Sequence, residues 1–442
     1  MWLINTTTLG LEYKLNVERD EPPYAILSHT WTDDEVDHRD FVNTPERAQQ
    51  RAGYAKIVMT CRQARKDVLS SRRLVAWIMA DNGADQDQAI NSMYRWYENA
   101  VICYVYLADM PDHGTECDLE AEEHDELLRQ RLAHYDLDYV DCKDGNPSFE
   151  NGPLQGFRRS RWFNRGWTLQ ELIAPSKLTF YGTTWNLLGS RAQLAGLLSS
   201  ITSIDAKVLL HAGSPRRVPP SQFAVSVRLS WAAGRCTSRP EDRAYSLLGL
   251  FGINMPLLYG EGKKAFVRLQ EEIIRSSNDL SIFAWQSVDE ALAIEKHQLL
   301  APSPDSFDDA LSRKFVKEPR AQEAARYALT NRGLEIQVMH PRYPAIARGH
   351  WGRLGSRTMY SVNTSLAILG KDSGGPSNMT ALRLSRDGDR ASSSWHVDNP
   401  RLCIVPETEL SEGKSLTVVR FTPGPRGLRR AGPLHEPSFG AP

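Results

Sequence analysis

The hydrophobic and polar positions of the first third of the chain alternate between two patterns. YAILSHTW (Tyr24 to Trp31), behind Pro22 and Pro23, is a continuous apolar run and predicts a buried strand. The charged stretch TDDEVDHRDF that follows predicts a loop, and Ile57, Cys61 and Ala64 at helical spacing predict a helix from about Pro45 through Asp67. LVAWIM (Leu74 to Met79) predicts a second strand, ended by the turn and helix-start residues ADNGADQDQ. Ile90, Met93, Tyr94 and Tyr97 fall at i, i+3, i+4 and i+7 of an amphipathic helix, and VICYVYLAD (Val101 to Asp109) runs on as a buried strand. Strands separated by helices imply an α/β fold, a short parallel sheet flanked by helices.

Farther along, DHGTECDLEAEEHDE (about 112–126) predicts a surface insertion with a solvated acidic face. KLTFYG reads as a strand, RAQLAGLLSSITSI as an amphipathic helix and HAGSPRRVPPSQ as a connector. A helical block is expected from about Phe223 to Ser277, broken by Gly and Pro, with acids in the first turn after Arg239-Pro240. From about Leu299 the pattern becomes short alternating runs between turns, which predicts a β-rich region. The expected organisation is an α/β core over 1–190, a helical extension over 191–290, a β-rich region over 291–420 and a disordered tail over 421–442.

Charge narrows the functions. Lys and Arg number 53 against 54 Asp and Glu, so overall basicity offers nothing for nucleic acid. No apolar run is long enough to cross a membrane, and the start MWLINTTTLGLEYKL lacks the basic-then-apolar order of a secretory signal. Six cysteines without a CxxC suit reduced thiols, so a cytoplasmic location is expected. No metal is expected: there is no HExxH, CxxC or HxH, and His113 and Cys117 lie in the acidic stretch. YGEGKKAF carries Leu257 and Lys264 where a phosphate loop needs Gly and Ser/Thr, so it reads as a glycine turn into a helix.

The densest chemistry lies in SRWFNRGWTLQELIAP. Trp162, Phe163 and Trp167 can wall a pocket, Arg161 and Arg165 suit phosphate or carboxylate, and Glu171 is the one acid, set among Leu169, Leu172 and Ile173. A buried acid needs either a partner or a function. A structural ion pair with Arg165 or Arg161 and a catalytic role both remain open. Ser28 and His29 end a predicted strand, where ligands bind parallel sheets, although a satisfied core histidine fits His29 equally.

Taken together, PPYAILSHTW, GYAKI, AINSMYRWYENAVICYVYLAD, SRWFNRGWTLQELIAPSKLTFYG, SWAAGR, EDRAYSLLGLFGINMPLLYGEGKKAFVRLQEEIIRSSNDLSIFAW and LLAPSP, in this order over about residues 1–305, resemble the heterokaryon incompatibility domain proteins of filamentous fungi. The resemblance implies a cytoplasmic module of non-self recognition that triggers programmed cell death, with a fold similar to Toll/interleukin-receptor-type (TIR) domains, some of which cleave NAD. SRWFNRGWTLQEL resembles the TIR segment whose Glu is catalytic, which assigns that role to Glu171. The residues expected to bind substrate are Ser28, His29, Trp31, Arg165 and Trp167. NAD is then a substrate rather than a cofactor, and the enzyme reading is an NAD glycohydrolase. The other reading is a non-catalytic module acting by self-association or through an incompatibility partner. One departure stands out. RRLVAWIMADNGADQDQ lacks the double cysteine usual in the family's second strand, and Gln88 replaces the usual Glu. True divergence, lost activity and a misassigned exon junction across residues 70–90 all account for it.

Overall fold

The computed structural model describes residues 2–13, 23–32, 34–67, 74–76, 85–110, 155–210, 214–286 and 300–308, and seven strands between 315 and 421. The expected acidic surface stretch, and the expected tail beyond Phe421, lie outside the described residues. The chain divides into two units, Met1–Ile273 with Pro302–Asp308, and Ile274–Ala301 with Asp309–Pro442. The helices that follow the sheet thus belong to the first unit.

That unit is built on a seven-stranded sheet with the order β2-β1-β4-β3-β5-β6-β7. Its strands are β1 (Trp2–Asn5), β2 (Leu11–Tyr13), β3 (Tyr24–His29), β4 (Leu74–Ala76), β5 (Ile102–Tyr106), β6 (Leu178–Tyr181) and β7 (Leu187–Ser190). The four central strands are parallel, pairing Ala25 with Val75, Leu27 with Tyr104 and Val105 with Phe180. The sheet is therefore mixed rather than purely parallel, because β1, β2 and β7 add antiparallel edges. Runs of three or four residues such as β1 and β7 carry no period long enough to read from sequence. LVAWIM supplies the second parallel strand over Leu74–Ala76 despite its departure from the family; Trp77 to Met79 lie outside the described residues.

Numbered by chain order, the parallel strands lie 2-1-3-4. This is the start of a doubly wound arrangement whose switch point, where connections diverge to opposite faces, falls between β3 and β5. All six residues of β3 are buried, as a strand covered on both faces requires. Ala25 and Leu27 pack with Ile57, Cys61 and Ala64 of the Ala52–Lys66 helix. The expected single helix from Pro45 is broken in two at Arg51, which adopts an extended conformation between Pro45–Gln50 and Ala52–Lys66. The Asp85–Asn99 helix buries Met93 and Tyr97, while Ile90 is half-buried. Its Trp96 carbonyl accepts from the Tyr24 hydroxyl at 2.7 Å.

Short helices complete the unit around two tight features. Asp305 accepts two bonds from Arg243 (2.7 and 2.8 Å) and one from the Gly234 amide (2.8 Å), and so ties the Pro302–Asp308 segment to the EDRAY helix. The Leu248–Phe251 helix approaches the 85–99 helix so closely that a β-carbon on Gly249 would lie 2.0 Å from Tyr94 Cβ. In the second unit, the alternating runs form β8 (Phe315–Val316), β9 (Tyr327–Thr330), β10 (Gly333–His340), β11 (Thr364–Asp372), β12 (Asn378–Ser385), β13 (Ser394–Pro406) and β14 (Ser415–Phe421). They make a second sheet, antiparallel except for β13 with β14.

The contact at Gly249 makes a sharp expectation. Gly249→Ala forces the two helices apart and should cost about 1–3 kcal/mol. A chemical denaturation midpoint unchanged from the parent would show that this approach is loose.

Candidate functional site

The site begins with a helix that has almost no exposed face. All six residues of Thr168–Ile173 are buried, including Gln170 and Glu171. A helix this short is not stable by itself, and two buried arginines secure its ends. Arg235 donates to the Arg165 carbonyl (3.0 Å), Thr168 Oγ1 (3.1 Å) and the Trp231 carbonyl (3.0 Å) on the N-terminal side. Arg191 donates to the carbonyls of Leu172 (2.6 Å) and Ile173 (3.2 Å) at the C-terminal end, where a cation complements the helix dipole. Burial pulls both guanidinium groups down to about 10.

This fixed helix places Glu171 against the end of β3. The Ser28 hydroxyl donates to Glu171 Oε2, and Trp162 Nε1–H donates to Ser28 Oγ at 2.8 Å. Tyr97 also hydrogen-bonds Glu171, and its hydroxyl lies 3.3 Å from the Leu27 carbonyl. Glu171 is 6% exposed. Burial is the dominant influence and raises its carboxyl to about 7; the bonds from Ser28 and Tyr97 and the fields of Arg165 and Arg235 oppose the rise. The group is therefore poised between acid and carboxylate near neutrality, as a proton-transfer residue needs to be.

The structure separates the other candidates. Ser28 and Glu171 come together on the face covered by the 85–99 helix. His29 points to the opposite face, as alternation along a strand requires. There it lies 3.5 Å from Glu35 and stacks on Trp31, with ring centres 5.6 Å apart. Arg165 is half-buried and acts electrostatically on both Glu171 and His29, so it stands where the two faces meet. Trp167 hydrogen-bonds Asp242. No ion pair joins Glu171 to Arg161, which instead approaches Asp109 at 3.5 Å. Trp162 and Phe163 do not wall a pocket. Both are core residues, packed edge-on or tilted with Phe157 and Phe180.

Sequence reasoning missed Tyr97 as a partner of Glu171, and it missed Arg191 and Arg235. Tyr97 reads as one more apolar position of its helix, and the arginines sit in unremarkable local contexts. The glycine turn at YGEGKKAF has a clear physical role. Gly260 and Gly262 adopt positive φ angles of 101° and 61°, and their amides donate to Glu241 at 2.9 and 2.8 Å. An internal carboxylate thus fills the cradle that an external anion would otherwise take. Cys61 and Cys103 are buried free thiols, and Cys236 is exposed. Among the described residues no cluster of three or more His, Cys, Asp or Glu could hold a metal, and no helix is long and apolar enough to cross a membrane.

The raised Glu171 carboxyl links folding to pH. An ordinary carboxyl near 4.5 in the unfolded chain that sits near 7 when folded favours folding fully below 4.5, and loses that contribution as pH rises through 7. His29, pulled down by burial, and Glu35, held near 2, act in the opposite sense at lower pH. The difference between parent and Glu171→Gln therefore isolates the effect. From pH 5 to pH 8 the parent should lose stability relative to the variant by about 3 kcal/mol at most. A constant difference across that range, measured by urea unfolding, would mean that Glu171 is ionised throughout.

Residues 24–171 match the family model described as Heterokaryon incompatibility protein (HET), a match that begins at the first residue of β3 and ends on Glu171. Residues 264–316 match a domain of unknown function (DUF8212). Vegetative incompatibility protein HET-E-1 of Podospora anserina is 38% identical over 260 residues, covering 57% of this chain. The aligned region is 16% of that relative's length. No solved structure matches. Over residues 24–171 this chain is thus similar to the heterokaryon incompatibility (HET) domain, the family that its sequence resembles.

Proposed function

We propose that this protein acts in heterokaryon (vegetative) incompatibility, a non-self recognition response, and that its HET domain triggers cell death by cleaving NAD between ribose and nicotinamide. The observation that carries the reading is the buried Glu171, bonded to Ser28 at the carboxyl end of a central parallel strand, with its carboxyl raised to about 7. The doubly wound 2-1-3-4 order of the parallel strands supports a TIR-like arrangement, and Ser28 sits at its switch point.

The chemistry follows from these groups. The C1′–N bond breaks with its electron pair going to the nicotinamide ring nitrogen, which leaves neutral. The ribose is left as an oxocarbenium-like cation, and the Glu171 carboxylate stabilises that charge. Water adds at C1′ and its proton passes to Glu171, which is basic enough near neutrality to take it. Ser28 holds the carboxylate oxygen in place, and Arg165 suits the negative phosphates of the substrate. The site works in the cytoplasm and in self-associated assemblies that engage an incompatibility partner.

A second reading rests on the 6% exposure of Glu171. There the Ser28–Glu171–Trp162 contact is purely architectural, and the domain acts by assembly alone.

Glu171→Gln keeps the shape of the side chain and removes its charge. The variant should melt at or above the parent at pH 8, yet cleave NAD about 10²–10³-fold more slowly and lose cell killing with it. In the parent, the rate should rise with pH through about 7 as the carboxylate forms. A variant that still cleaves NAD overturns the catalytic assignment. A parent that kills without depleting NAD favours the assembly reading.

A further inference from the structure

On the opposite face of β3 from Glu171 lies a second buried cluster that the chemistry above does not use. Glu35 accepts from Lys56 Nζ and from the Thr32 amide (3.3 Å) and hydroxyl (3.2 Å), and lies 3.5 Å from His29 Nε2. The side chains of Glu35 and Lys56 are 4% and 9% exposed. The Ala52–Lys66 helix is set hard against this carboxylate. A β-carbon on Gly53 would lie 2.7 Å from Glu35 Oε2, and the Gly53 and Ala52 amides donate to Asp34 at 3.0 and 2.8 Å. Lys56 Nζ stands 5.9 Å from the Tyr106 ring, and Tyr106 pairs with His29 across the β3–β5 switch point.

Stability alone does not account for such a pair. Removing two charges from water costs several kcal/mol per ion, and apolar residues of similar size commonly fold as well or better. What the pair does provide is direction: it reaches β3, the following turn and the 52–66 helix at once. Ser28 is held on one face of the strand by Glu171 and Trp162, and His29 on the other by Glu35. Arg165 lies within electrostatic reach of both sides.

We propose that Glu35 and Lys56 are positioning residues, which act through His29 to set the end of β3 that presents Ser28 to Glu171. This rests on the catalytic reading above. Neither residue touches the reacting atoms. Their effect is on the placement of Ser28, and small misplacements of a reacting constellation are costly to rate. The approach of Glu35 to His29 Nε2 at 3.5 Å favours the tautomer with its proton on that nitrogen.

The test uses the full chain with Glu35→Gln and with the double variant Glu35→Gln/Lys56→Met, which removes both charges together and leaves neither buried alone. Two readings are taken. The first is the ¹⁵N imidazole spectrum of His29, assigned by its loss in His29→Asn. The second is NAD cleavage resolved into kcat and KM. The double variant should melt close to the parent, lose the Nε2–H signature and fall about 10²-fold in kcat with KM little changed. An unchanged His29 spectrum overturns the proposal, as does a double variant with the parent's kcat. If the parent itself cleaves no NAD, the catalytic reading fails, and the His29 spectrum alone decides whether Glu35 and Lys56 position this strand end.

Discussion

The hydrogen bond between Ser28 and Glu171 joins positions 143 residues apart, and most of the first unit is arranged so that it can form. One partner ends the central strand of the sheet. The other sits in a six-residue helix with no exposed face and no stability of its own. Everything around that helix serves to hold it. Arg235 satisfies carbonyls at one end and Arg191 at the other, while Trp162 completes the bonding of Ser28. The acid ends up in surroundings that disfavour its charge, yet it faces hydroxyls and distant cations that partly restore it. The result is a carboxyl balanced near neutrality.

Topology explains why this contact lies where it does. In a doubly wound sheet the connections on either side of the switch point diverge, which leaves a crevice beyond the carboxyl ends of the strands. Ser28 and His29 are the last residues of the strand at that point, and they project to opposite faces. One strand end therefore belongs to two polar clusters, Glu171 with Tyr97 and Trp162 on one side and Glu35 with Lys56 on the other. Arg165 lies within the field of both. Two clusters bonded to opposite faces of one strand end resist slippage of that strand. This gives a physical reason for His29, Glu35, Lys56 and Glu171 all to be buried around its end.

The helices beyond the sheet do structural work with residues that look chemical in isolation. The glycine turn at Gly260 and Gly262 resembles an anion cradle and does hold an anion, but that anion is Glu241 of the same unit. The EDRAY segment similarly uses Arg243 to capture Asp305, so that chain passing through the second unit returns to brace the first. The match to DUF8212 over residues 264–316 spans this returning segment.

Periodicity was enough to read the strand–helix alternation of the first third, the buried face of the 85–99 helix and the β-rich C-terminal region, because each run is long enough for its apolar spacing to be unambiguous. Glu171 stood out for a similarly local reason: it is a lone acid among leucines, arginines and tryptophans. Family resemblance, rather than spacing, attached a role to it. Strands of three or four residues, such as β1 and β7, hold too few positions to display a period, and they add the antiparallel edges that make the sheet mixed. The partners of Glu171 were equally hidden. A tyrosine on an apolar helix face and two arginines in ordinary settings carry no local mark, since their importance comes from distance in space and not along the chain. Sequence identified the acid. Which groups surround it, and that its nearest partner is a serine hydroxyl rather than an arginine, was decided only when the sheet closed and removed them together from water.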